Sequence, residues 1–198
     1  MAETIPAATA APHDNATADS KARRRIPRKA TPRHLENAAL WYLARFQATA
    51  RSLERMLMRR VVRSARHHGT DPEVGRLFVG ELIARYRRAQ LLDDAAYAQA
   101  RVRTLHDRGL SARAIRARLM EKGVGQADME SAFAALSAAL GEDQDLDLDA
   151  ARRYARRRRL GPWRGRDQRE ARHDKDLAAL ARAGFSYSVA KTVIDGEA

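Results

Sequence analysis

Apolar residues recur at steps of three and four along nearly the whole chain after His34, the spacing that places side chains on one face of an α-helix. Leu40, Leu43, Phe46 and Ala50 open the series. Ser52 stands where an N-cap belongs, with Met56 and Leu57 facing inward. Asp71-Pro72 reads as a helix start, acid at the cap and proline at the first helical position. Val74, Leu77, Phe78, Leu82 and Tyr86 mark one face beyond it. The middle of the chain is cleaner. Leu91, Ala95, Ala98, Val102 and Leu105 form a stripe ended by Gly109. Ser111 caps the next helix, with Ala112, Ile115 and Leu119 inside, and Gly123 stops it. Met129, Ala132, Phe133, Leu136 and Leu140 form a third stripe. No stretch alternates with period two, so the pattern predicts an all-α fold without a sheet.

Part of this grammar occurs twice. Leu119 lies four residues before Gly123 and Leu180 four before Gly184. An apolar residue follows each glycine (Val124, Phe185), and another lies ten residues past it (Phe133, Ile194). Such self-similarity predicts tandem three-helix repeats, and repeat proteins usually present a surface rather than a catalytic pocket. The expected organisation is a basic, disordered tail over 1–33, repeats over 34–89 and 91–140, an acidic linker over 141–149 leading into an N-cap, and a third repeat over 150–196. The first copy is the weakest match. Arg60 falls where Leu119 predicts an apolar residue, and Val61-Val62-Arg63 replaces the Lys-Gly stop.

Charge changes the picture. The chain has 198 residues and a formal net charge of +13. Residues 1–33 hold seven basic and three acidic groups, leaving +9 on the segment expected to fold. Such a field attracts polyanions or acidic protein surfaces. There is no cysteine, hence no disulfide frame and no thiolate metal site. No apolar run is long enough to cross a membrane, and the first residues lack the apolar core of a secretion signal. A soluble cytoplasmic protein without cofactor or metal is the expectation.

Four segments in order carry a resemblance: AALWYLARF (38–46), LLDDAAYAQARVR (91–103), RGLSARAIRARLMEKGV (108–124) and LARAGFSYSVAKTVI (180–194). Together they resemble the RecX regulatory-protein family. That resemblance implies a curved, elongated array of three-helix repeats. It also implies a monomer that binds the RecA recombinase filament on DNA and inhibits its ATPase and strand-exchange activities, modulating recombinational repair. Direct contact with single- or double-stranded DNA is a further implied possibility. A non-specific DNA-binding helical protein acting independently of RecA is the alternative reading.

The candidate contacts are arginines. Arg152, Arg153, Arg156, Arg157 and Arg159 spread over one side of a helix whose other side carries Ala151, Tyr154 and Ala155. They repel one another unless a polyanion or acidic side chains lie opposite. Arg164 extends that run, and Arg101, Arg103, Arg108, Arg113 and Arg116 form a second set in the middle repeat. Asp93-Asp94 is expected to cap the helix that begins there. Trp41 is expected in the core, while Trp163 fits either inter-helix packing or exposed contact. Tyr97 and Tyr154 are expected to pack in similar places of two repeats. The adjacent pair His67-His68 points in diverging directions on a helix and makes a poor ligand pair. No nucleophile–base set can be assembled, so no enzymatic activity is expected.

Overall fold

The structure, a computed structural model, describes residues 26–141 and 144–197. It has nine α-helices and no strand among the described residues. They group in threes: α1 Pro32–Leu43, α2 Ala50–His68 and α3 Pro72–Arg88; α4 Asp94–Asp107, α5 Ala112–Lys122 and α6 Gln126–Leu140; α7 Leu146–Arg158, α8 Arg169–Ala183 and α9 Tyr187–Asp195. Two short 3-10 turns, Gly161–Trp163 and Arg166–Gln168, link α7 to α8.

Each group of three has its own core. Leu35, Leu53, Leu57, Val61 and Leu82 meet in the first, Val102, Leu105, Ile115, Leu119 and Phe133 in the second, and Ala155, Leu180, Phe185, Val193 and Ile194 in the third. Burying each large aliphatic side chain contributes about 1.5–3 kcal/mol. All eight residues flanking and including the repeated glycines fall where the spacing puts them: Leu119, Val124, Phe133, Leu180, Phe185 and Ile194 are buried. Gly123 and Gly184 end their helices in the left-handed region, at φ +78° and +99°.

The first unit departs from the expected register. Thr49, not Ser52, is the N-cap of α2, its Oγ1 accepting the Ser52 N–H at 3.1 Å. Aligning Thr49 with Ser111 places Leu53 on Ile115 and Leu57 on Leu119, all fully buried. The missing stop has a simple reason: α2 continues to Gly69 and is 19 residues long against 11 for α5. On α3 the contact stripe runs through Gly75, Val79, Leu82, Ile83 and Tyr86. A Cβ at Gly75 would lie 2.5 Å from Val61, so the bare glycine lets α3 close on α2. Val74 and Leu77 consequently point outward, 63% and 70% exposed. Leu40, Phe46 and Leu91 are exposed as well.

Both expected connectors are corrected. The tail proposed for 1–33 lies outside the described residues up to Arg25, but the chain is ordered before residue 34. The Ala30 N–H donates to Ser64 Oγ at 2.9 Å, and α1 starts at Pro32 under a Thr31 cap. The acidic stretch is not a spacer up to Asp149. Asp145 caps α7, accepting from the Asp147 and Leu148 amides, so Leu146–Asp149 is already helix. Acids in that first turn complement the helix dipole.

Candidate partner-binding surface

Consecutive units are joined by one hydrogen-bond pattern used twice. The Thr49 hydroxyl at the start of α2 donates to the Lys122 carbonyl at the end of α5, at 2.5 Å. The Ala50 N–H beside it donates to Asp94 Oδ1 in the first turn of α4, at 2.8 Å. At the next boundary the Ser111 hydroxyl, starting α5, donates to the Ala183 carbonyl ending α8, at 3.0 Å. The Ala112 N–H donates to Asp147 Oδ1 in the first turn of α7, at 2.7 Å. Arg51 packs on Gly123 and Arg113 on Gly184 in the same relation, and a Cβ at either glycine would collide with the preceding unit. Asp93 caps its own helix, as expected, through the Ala96 N–H. Asp94 instead caps the helix of another unit, and its second oxygen holds Arg87 at 3.0 Å.

The arginines separate into committed and available groups. Arg164 grips Asp176 with both arms of its fork, at 2.7 and 3.0 Å. Burial pushes the Asp176 carboxyl up. Hydrogen bonds from Arg164 and the Gly161 N–H, with the positive charges of Arg164 and Arg172, more than reverse that and hold it below the ordinary carboxylate range. Arg164 is therefore held in place as a brace for the α7–α8 connection. Arg153 has acidic partners of its own: it bridges Asp149 at 2.9 Å and Asp107 at 3.0 Å. Arg157 donates to the Arg108 carbonyl, which brings Arg108, Arg153 and Arg157 together where α7 crosses the end of α4. Gly109 permits that crossing, because a Cβ there would sit 2.7 Å from the Tyr154 amide nitrogen. Arg116 lies over the Phe133 ring at 4.3 Å.

Arg101, Arg103, Arg152, Arg156 and Arg159 are exposed, with no ion-pair partner among the described residues. Arg159 has a left-handed backbone, φ +54°, at the end of α7. Glycine is the ordinary occupant there, and a side chain costs about 1 kcal/mol. No group of three or more metal-ligating side chains occurs among the described residues, and no helix among them is long and apolar enough to cross a membrane.

Several side chains lie elsewhere than their sequence context suggests. Trp41 is 53% exposed, with Arg45 over its ring at 4.2 Å, because α1 buries Leu35, Ala38 and Ala39 instead. Trp163 is half-buried against the third core. Tyr97 sits in the first turn of α4 and Tyr154 in the third turn of α7, so the two are not equivalent. His106 is buried between α4 and α7, its Nε2 3.0 Å from the Leu146 carbonyl. Its position four residues after Val102 on the buried stripe was the available signal.

The sequence and the helical fold match proteins already known. A protein named Regulatory protein RecX from Myxococcus xanthus (strain DK1622) is 45% identical over 170 residues, covering 85% of this chain and 88% of its own length. The chain belongs to the RecX family. A RecX protein from Agrobacterium fabrum (strain C58 / ATCC 33970) is 33% identical over 160 residues, covering 80% of each chain. The family model described as RecX, second three-helix domain, matches residues 93–132, from the cap of α4 into α6. The crystal structure of RecX from Lactobacillus salivarius shares the fold at TM-score 0.59 and 23% identity, over 83% of this chain and 94% of that one. A second structure, of regulatory protein RecX, superposes at TM-score 0.56 with 23% identity, covering 83% and 72%.

Proposed function

We propose that this RecX-family chain binds the RecA recombinase filament on DNA and inhibits its ATPase and strand-exchange activities. The observation that carries the reading is the set of exposed guanidiniums on α4 and α7, Arg101, Arg103, Arg152, Arg156 and Arg159, without acids of their own among the described residues, on helices tied together by the His106–Leu146 and Arg153–Asp107 contacts. A cationic surface on coupled supports meets acidic protein surface or phosphate at low ordering cost. The mechanism is steric and electrostatic, and this chain makes or breaks no bond. The bound array obstructs subunit addition or the subunit movement that ATP turnover and strand exchange require.

The test is an ATPase titration. Purified protein is added to RecA, single-stranded DNA and ATP, and hydrolysis is followed. The rate falls as the regulator approaches the recombinase concentration. Inhibition far below one regulator per subunit indicates blocked extension, and near-stoichiometric inhibition indicates occupation along the filament. An unchanged rate at matching concentrations removes the reading.

A further inference from the structure

The longest helix carries a pattern that, Arg51 at the joint apart, the contacts above do not use. α2 has six arginines and one acid, Glu54. Arg51, Arg55, Arg59 and Arg63 follow one another at four-residue steps, and Arg66 continues the run. All five are exposed, and none has an ion-pair partner among the described residues. Guanidiniums four apart on a helix repel. Arg153 and Arg164 each have an acid opposite. The α2 arginines, like Arg152 and Arg156 on α7, have none among the described residues.

The extra length of α2 over α5 matters here, since Arg63 and Arg66 lie in the turns that α5 lacks. Four helical residues rise about 6 Å. A regular row of cations suits the regularly spaced charges of a phosphate backbone. Met58 and Val62 lie among the guanidiniums in a shallow depression of about 510 Å³. The one aromatic ring that lines it is the imidazole of His67 at its edge, with no Phe, Tyr or Trp. Protein interfaces deplete charge at their centres and pair opposite signs. A run of one sign with no interleaved Phe, Tyr or Trp matches a sugar–phosphate backbone better.

We propose that this face of α2 is a direct, sequence-independent nucleic-acid contact that grips the phosphate backbone without any recombinase. It stands apart from the RecA reading, because it is defined and measured on DNA alone. The full chain is titrated against a fluorescent mixed-sequence oligonucleotide, single-stranded and as duplex, across a salt series by anisotropy. The variant Arg55→Gln/Arg59→Gln/Arg63→Gln lowers the slope of log affinity against log salt on duplex by about 2–3, near one per lost phosphate contact. An equal-charge control, Arg118→Gln/Arg166→Gln/Arg182→Gln, leaves the slope unchanged. The lysine triple at 55, 59 and 63 keeps the charge and retains the slope, which separates lost contact from lost fold. An unchanged slope in the glutamine triple, an equal loss in the control, or an equal loss in the lysine triple overturns the proposal. So does loss of RecA inhibition with DNA affinity intact, which assigns the face to an acidic protein.

Discussion

Whether an arginine is a contact or a brace is decided by what stands beside it. Arg164 and Arg159 are five residues apart in one basic run, yet one is spent on a buried carboxylate and the other is free of any described acid. Asp176 is 4% exposed at its side chain, so removing its partner leaves an uncompensated buried charge. Arg164→Ala is expected to destabilise the protein by about 3 kcal/mol in chemical denaturation while leaving RecA inhibition by the folded fraction intact. Loss of inhibition with unchanged stability would make Arg164 a contact rather than a brace. At this scale the sequence was only partly legible. It supplied the arginines, but not that Asp176, twelve residues on, closes on Arg164 across a 3-10 turn. Trp41 was misplaced for a related reason: an aromatic in an apolar run looks buried until the stripe through Leu35, Ala38 and Ala39 is known.

Helices were read more reliably, because stripes and caps are local. Ser111, Gly123, Asp71-Pro72 and Gly184 sit where their chemistry places them. The failure at Ser52 came from two hydroxyl residues three apart, Thr49 and Ser52, both plausible caps by composition. Only the packing of Leu53 and Leu57 selects between them. The final helix shows an element held by a titrating contact. His173 on α8 meets Asp195 at the end of α9, at 2.7 Å. The hydrogen bond to Asp195, then that to Asp174, raises the His173 pKa above its ordinary value. A raised folded value means the contribution is complete below the unfolded histidine pKa, about 6.5, and fades as pH rises through the folded one. Thermal stability should therefore decline slightly from pH 6 toward pH 8, the effect being small because both groups are half-exposed. His173→Gln should flatten that part of the profile. An identical slope in the variant assigns it to another group.

Across the whole molecule the decisive feature is that helix starts are completed by the neighbouring unit. Asp147→Ala takes the acceptor from Ala112 and is expected to cost about 1–2 kcal/mol, the value of a lost N-cap, although the residue belongs to the following unit. Hydrogen exchange should show the loss at the start of α5. Protection lost only in α7 would mean the bond between units carries little. The sequence announced repeats but not this joint, since no spacing rule links Thr49 to Lys122 or Ser111 to Ala183.

A joint of this kind runs head to tail, and a head-to-tail contact has no inherent end. The outermost units each carry only half of it. The first turn of α1 has no acid, and Gly69 closing α2 faces open space. At the other end α8 begins at Gln168 without a side-chain hydrogen bond to its cap. Among the described residues the middle segment alone has both plug and socket. Among the described residues neither end carries the groups that join one unit to the next, so the geometry that stacks three modules in one polypeptide stops at its outermost helices.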